Sequence, residues 1–425
     1  MENFTRIDSH WINPDSPWDM VRGKYLFENP KILNRDSKEN NLLSLTLNGV
    51  LNKDMDSGGG LRPDSYDSYQ IFYENDLVFK LIDLENVKTS RVGWVHETGL
   101  MSPVYIRLKP KEDRINTRYF YYYFFDLYQR HIFNSIGSGI RSSLSGTNLL
   151  ELLVPNPPYE EQNKIVNFLD KKIAKIDELI KKIEQKIGLL KEQRTSLINK
   201  VVTQGLNPNV KKKESGVEWI GEIPSHWEIT KLKYKGNVII GLSYTPDNIT
   251  DENNGTLVLR SSNVQSGKLC LEDTVYVNSD ISEKLRIREN DILICSRNGS
   301  RKLIGKNCLI SKDVEGSTWG VFMSIYRCES PVFFYWLLNS SVFKSQSGLF
   351  LTSTINQLTV STLENMFVPY VSDLNEQKEI VEYLEIETQK IDEIISNEEE
   401  RIKLLKEYKQ SLVFEVVTGK KKVVS

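Results

Sequence analysis

EQNKIVNFLDKKIAKIDELIKKIEQKIGLLKEQRTSLINKVVT, residues 161–203, decides how the rest of the chain is read. Its apolar residues advance in alternating steps of three and four: Val166, Leu169, Ile173, Ile176, Ile180, Ile183, Ile187, Leu190, Leu197 and Val201, interrupted at Arg194. Such spacing, held over about five heptads, specifies a coiled-coil seam rather than an ordinary amphipathic helix. The stretch returns without a gap as EQKEIVEYLEIETQKIDEIISNEEERIKLLKEYKQSLVFEVVT at residues 376–418, an offset of 215. Gln162 falls on Gln377, and Leu189-Leu190-Lys191-Glu192 on Leu404-Leu405-Lys406-Glu407. The second seam carries Ile391, Ile395, Ile402 and Leu405, with Thr388, Glu398 and Lys409 as polar interruptions, and Lys409 falls on Arg194. Polar seam residues serve as register devices.

The same offset of 215 recurs far upstream, where Glu74-Asn75-Asp76-Leu77 matches Glu289-Asn290-Asp291-Ile292. LLELLVP ending at Pro155 echoes LENMFVP ending at Pro369, and SPWDMVRGKY from Ser16 echoes SHWEITKLKY from Ser225. The chain is therefore written twice: a globular segment (1–158), a long helix (159–204), a linker with a second globular segment (205–372), and a second long helix with a tail (373–425). Short β-branched and aromatic runs such as YQIFYENDLVFKLI and DILICSRNGS read as strands, so each globular copy is expected to be mixed α/β and the whole α+β. RYFYYYFFDLYQRHIF and SPVFFYWLLNSSVF read as buried helices whose aromatics belong to the core. Internal duplication favours a pseudo-two-fold arrangement in which the two long helices pair antiparallel, because equivalent surfaces then meet. A helix of about 40 residues would span about 60 Å. The alternative is a coiled coil that merely dimerises the protein.

Composition narrows the function classes. A length of 425 residues suits two to four domains, and 39% apolar with 26% charged residues suits a globular protein. MENFTRIDSHW lacks the apolar core of a signal peptide and no run approaches the roughly 20 apolar residues of a membrane span, so a cytoplasmic location without membrane contact is expected. The four cysteines (Cys270, Cys295, Cys308 and Cys328) form no CxxC pair, and the four histidines no HExxH; no metal site is expected. The net charge of −2 is neutral on nucleic-acid binding, which needs only a local basic face.

Asn156-Pro157-Pro158-Tyr159 matches the (N/D)PPY signature of adenine-N6 DNA methyltransferases, which would make Asn156 and Tyr159 catalytic. Its repeat counterpart, VPYVSDLNEQ, lacks the motif, and no glycine-rich turn of the FxGxG kind follows a strand. The alternative is that the prolines end a strand and YEEQ opens a helix with acids at its positive end. No catalytic residue is therefore assigned. Candidate DNA-binding residues are cations flanked by small polar groups: Lys88, Arg91, Arg141 and Ser142 in the first copy, and Arg260, Ser261, Asn263, Arg297, Arg301 and Lys302 in the second. Arginine reads guanine bidentately, while serine and lysine hold phosphates.

The linker TQGLNPNVKKKESGVEWIGEIPSHWEITKLK and the repeated P…EQ…IV…L…ID…L…SL…VVT units resemble the specificity subunit of type I restriction-modification systems over nearly the whole chain. One departure is that WIGEIPSHWE has only a faint counterpart in WINPDSPWD near Trp11. The resemblance implies that each globular copy is a target recognition domain reading one half of a split double-stranded DNA site. It implies that the helices set the gap, and that two methyltransferase subunits, with restriction subunits as optional partners, are recruited. It places S-adenosylmethionine, ATP and magnesium in those partner chains, so this chain needs no cofactor. An assembly scaffold with no DNA contact is the remaining alternative.

Overall fold

The computed structural model describes residues 16–35, 38–53, 65–82, 84, 90–136, 143–350 and 357–423. The chain divides into two units, residues 1–183 with 399–425 and residues 184–398, so each unit owns part of both long helices.

The first unit runs β1 (Met20–Arg22), α1 (Gly23–Leu26), β2 (Phe27–Glu28), β3 (Leu43–Thr46), β4 (Gly49–Asn52), β5 (Gln70–Phe72), β6 (Leu77–Phe79), β7 (Val92–Trp94), β8 (Gly99–Met101), β9 (Ile106–Pro110), α2 (Thr117–Gln129), α3 (Ile132–Ile136), α4 (Gly146–Glu151) and β10 (Leu153–Pro155), then enters α5 (Tyr159–Gln204). Its central sheet is antiparallel in the order β2-β9-β6-β7, with β3–β4 and β5–β8 as separate pairs. Helix α2 starts where the Asn116 side chain accepts from Arg118 N and Tyr119 N at 3.0 and 3.4 Å. Its aromatics are core: Phe120 meets Phe27 and Phe124 meets Phe79 edge-on at 5.1 Å each. The run expected as one helix is broken at His131, which takes a positive φ of 57°.

The second unit runs β11 (Lys212–Glu214), β12 (Glu222–Pro224), β13 (Glu228–Lys231), β14 (Gly236–Ile240), β15 (Ile249–Thr250), β16 (Thr256–Leu259), β17 (Val264–Gln265), β18 (Lys268–Leu269), β19 (Tyr276–Val277), β20 (Ile292–Cys295), β21 (Asn307–Leu309), β22 (Thr318–Trp319), β23 (Met323–Cys328), α6 (Pro331–Leu338), α7 (Ser341–Phe350), α8 (Val360–Glu364), β24 (Phe367–Tyr370) and α9 (Leu374–Val417). Its central sheet is again antiparallel, β14-β23-β20-β21. Beside it lies a second four-stranded sheet, β15-β19-β16-β22, in which β16 and β22 are parallel. The aromatic run is here split into α6 and α7 at Asn339, whose side chain donates to Asn307 Oδ1 at 2.7 Å.

The repeat written in the sequence is a repeat of local physics. Asn75 and Asn290 both sit in the left-handed region (φ 71° and 67°), where asparagine is tolerated better than most residues. Each turn buries the aspartate that follows. Asp76 accepts from Tyr73 N at 2.6 Å and Asp291 from Arg288 N at 2.9 Å. Arg107, on β9, closes on Asp76, and Arg327, on β23, on Asp291 at 2.6 and 2.7 Å.

Both long helices begin alike: the buried Gln162 donates to Pro157 O at 2.9 Å and Gln377 to Val371 O at 2.7 Å. Both end on a glycine with positive φ, Gly205 at 70° and Gly419 at 77°. A Cβ on Gly205 would lie 3.4 Å from the Trp227 ring, and one on Gly419 would run into Pro17 and lie 3.2 Å from the Trp18 ring. A tryptophan thus stands beside the glycine at each helix end, Trp227 fully buried and Trp18 half-buried, so the counterpart that is faint in the letters is partly present in the packing.

Within each unit α5 and α9 run antiparallel. In the second, Lys186 pairs with Glu398 at 2.6 Å and Arg194 with Asp392 at 2.8 Å, so one helix advances as the other retreats. In the first, Asp177 pairs with Lys409 at 2.7 Å, and Ile165, Val166 and Leu169 share a core with Leu412, Val416 and Val417. Seam residues Ile176, Ile180, Ile183, Ile187, Ile391 and Ile395 are buried, while Leu190, Ile402 and Leu405 are half-buried.

Candidate nucleic-acid interface

Strand β20 leaves the central sheet of the second unit at Cys295, and its exit is held from two sides. Ser296 N and Arg297 N both donate to Phe322 O at 3.0 and 2.9 Å, and Leu358 N donates to Ser296 O at 2.7 Å. The exposed Arg297 thereby places its guanidinium 5.2 Å from the ring of Phe322, itself 54% exposed. Asn298 donates to Ser261 Oγ at 2.8 Å, and Lys306 donates to Val264 O at 2.9 Å and to Ser261 O. These bonds bring together two stretches that the sequence keeps well apart, the turn at 260–263 and the loop at 297–302. Arg301 and Lys302 are exposed on a single 3₁₀ turn of that loop. Between Asp291 and Asp313 the chain has five cations and no carboxylate. Cys295 and Cys308 lie beneath; burial pushes the Cys295 thiol up and that of Cys308 to about 12, which keeps them neutral near pH 7.

Other sequence candidates are placed differently. Asn263 is fully buried: its side chain donates to Cys270 O and Asp273 O at 2.9 and 2.8 Å and accepts from Arg260 N, so it braces the turn and offers no polar atom outward. Arg260 turns its guanidinium to Asp273 at 2.7 Å. Arg91 is 1% exposed and donates to Ile82 O at 3.3 Å, a core position in the first unit rather than a surface one. Lys88, Arg141 and Ser142 lie outside the described residues. Sequence reasoning did not select Phe322, Asn298 or Lys306. Asn298 lies inside DILICSRNGS, read there only as strand, whereas Phe322 sits in an alternating run indistinguishable from strand.

The Asn156–Tyr159 stretch is the entry to α5. Asn156 N donates to Asp19 O at 2.9 Å, Pro158 O accepts from Glu161 N at 2.8 Å, and Tyr159 is the first helical residue. Among the described residues no group of three or more His, Cys, Asp or Glu could hold a metal ion, and no helix is long and apolar enough to cross a membrane.

The family described as the type I restriction modification DNA specificity domain matches residues 23–189 and again residues 224–404. The chain belongs to that family. The two matches fall one on each written copy, so this member carries the specificity domain twice. Among its relatives, the specificity subunit of the type I restriction enzyme MjaVIII of Methanocaldococcus jannaschii is 26% identical over 372 residues, 83% of this chain and 80% of the relative. The EcoBI specificity subunit of Escherichia coli is 27% identical over 309 residues, 69% and 63% of the two chains. A solved chain from work on complex assembly and conformational transition of the type I R-M system superposes with a TM-score of 0.73 at 14% identity, covering 96% of this chain and 99% of that one. The HsdS subunit of Thermoanaerobacter tengcongensis gives a TM-score of 0.50 at 14% identity, covering 96% and 98%. At that identity the likeness is one of fold.

Proposed function

We propose that this chain is the sequence-recognition subunit of a type I restriction-modification complex, each specificity domain reading one half of a bipartite double-stranded DNA target. The observation that carries the reading is the double family match on two copies built around the same central sheet. In the second unit the loop at 297–302 is the reading element: Arg297 is held by its backbone and offers a guanidinium of the kind that pairs with guanine, while Arg301 and Lys302 meet phosphates. The paired helices set the gap between half-sites, since sites on one face of DNA recur about every 34 Å. Two methyltransferase subunits and, where present, restriction subunits dock on the chain and bring S-adenosylmethionine, ATP and magnesium. The chain itself is non-catalytic and works in the cytoplasm, where its DNA is.

Mapping methylated adenines across a genome with and without the chain tests this. A split motif that appears only with the chain is expected, and Arg297→Ala should relax one half of that motif and leave the other intact. Methylation by the chain alone, abolished by Asn156→Ala, would instead make it a methyltransferase. DNA binding that does not respond to salt would point to a scaffold, because each phosphate contact contributes a slope of about −0.9.

A further inference from the structure

The aligned openings SPWDMVRGKY and SHWEITKLKY, offset by 209, end on Tyr25 and Tyr234. Among the described residues these are the most exposed large apolar side chains, at 68% and 70%. Their surroundings repeat as well. The preceding lysine lies beside each ring, Lys24 at 5.8 Å and Lys233 at 5.3 Å. Each lysine is also held by the residue that closes the short helix before β10 or β24. Lys24 bonds Glu151 at 2.9 Å and Lys233 bonds Asn365 at 3.0 Å. A single exposed tyrosine needs no explanation. Two, at one register, at one exposure and with the same bracing, kept in units whose flanking sheets differ, do.

We infer that Tyr25 and Tyr234 are equivalent anchors for two copies of one partner polypeptide, the methyltransferase subunit, each ring entering an apolar pocket. This rests on the functional reading above. Tyrosine suits the task, with a large apolar face, a polar tip and few rotamers to freeze. The neighbouring cations are engaged at home, Arg22 with Glu151 at 2.6 Å, Lys111 with Lys24 O at 2.7 Å and Lys235 with Glu228 at 3.2 Å, so each site presents the ring rather than a free charge. A site present twice suits a ligand present twice, whereas the two half-sites of a bipartite target differ.

The DNA backbone is the competing occupant, because it too is shared by both half-sites. Position argues against it. Gly236, two residues after Tyr234, pairs with Cys328, while Ile240 pairs with Ser324 at the end where Phe322 and Arg297 lie. The anchor and the reading loop thus occupy opposite ends of the central sheet, about 13 Å apart at 3.3 Å per residue. The first unit repeats this: Phe27 pairs with Pro110 at the Tyr25 end, and Phe79 with Ile106 at the end where the β6–β7 connection departs. The ammonium groups of Lys24 and Lys233 are also already engaged within their own units.

The test mixes the full-length chain with the purified methyltransferase subunit and reads stoichiometry by light scattering and affinity by titration. Wild type should take two copies. Tyr25→Ala and Tyr234→Ala should each weaken one of the two binding steps about thirtyfold, as expected of a buried aromatic anchor, and the double variant should weaken both. Affinity of the free chain for DNA, and its salt slope, should not change. Tyr→Phe at both positions should retain most of the partner affinity. Two copies bound by the double alanine variant at wild-type affinity would overturn the inference. So would retained partner binding with weakened DNA binding and a shallower salt slope, which would make the tyrosines phosphate contacts. If alanine variants melt early, serine at the same positions carries the same comparison. A wild-type chain that binds DNA but takes no methyltransferase subunit sinks the anchors, whereas one that binds neither sinks the functional reading itself.

Discussion

The first and second units share a frame and differ in what hangs from it. Both have a four-stranded antiparallel sheet entered through a left-handed asparagine, a buried aspartate–arginine pair, a glutamine that closes the helix entry and a glycine against tryptophan at the helix end. Beside that frame the first unit carries two separate strand pairs, β3–β4 and β5–β8, where the second carries a mixed four-stranded sheet. What stays constant sets the attachment of sheet to helix; what changes is the material around the reading end. The polar interruptions of the helix seam follow the same logic. Arg194 and Lys409, at one register, each find an aspartate on the opposing helix, Asp392 and Asp177, which are themselves repeat partners.

The comparison can be broken most sharply at the buried ion pairs. Asp76 and Arg107 are each 2% exposed, whereas Arg327 opposite Asp291 is 19% exposed and can turn to water. Asp76→Ala should therefore cost about 3–5 kcal/mol, the loss expected when a buried charge is left unpaired, and Asp291→Ala roughly half that. Hydrogen exchange in β6 and β9 against β20 and β23 reads the two units separately; equal and small losses would show that these pairs do not hold the sheets. A smaller effect is expected at Glu398, which stands at the register of Ile183. Glu398→Ile makes the second seam match the first and should raise stability by about 1 kcal/mol, since a well-packed apolar residue often outperforms a desolvated carboxylate, here 11% exposed, whose partner Lys186 stays in water. A fall in melting temperature would instead mean that the bond to Lys186 outweighs its desolvation. The smallest effect belongs to the repeat-related cations. Lys409→Ala should cost about 0.5 kcal/mol, as exposed pairs do, and Arg194→Ala about 1 kcal/mol, because Arg194 also lies 5.9 Å from the Trp336 ring. A double-mutant cycle with each aspartate checks both; the reverse order would remove any part for the indole.

Much of the architecture was legible in the letters because helices write themselves locally. A three-four alternation over several heptads has few competing explanations, and an ungapped repeat of it exposes the duplication. The Glu-Asn-Asp match, visible only as an echo, proved to be a turn with a buried charge. The candidate interface was legible only in part. Arg91 and Arg297 both stand among small polar residues, yet one is enclosed in a core and the other pinned outward. No pattern of neighbours along the chain distinguishes them, because exposure depends on strands far off in sequence. Asn263 was misplaced for the same reason: its amide serves carbonyls at positions 270 and 273.

The amino-acid order alone determined that this protein has two copies of one plan, two long helices with matching seams, and its family resemblance, since each rests on short-range periodicity or on identity at a fixed offset. Tertiary structure decided which cations face outward, which turn and loop share a surface, that Phe322 stands beside Arg297, and that two tyrosines occupy equivalent corners. Those are properties of contacts between distant segments, and they exist only once the sheets have closed.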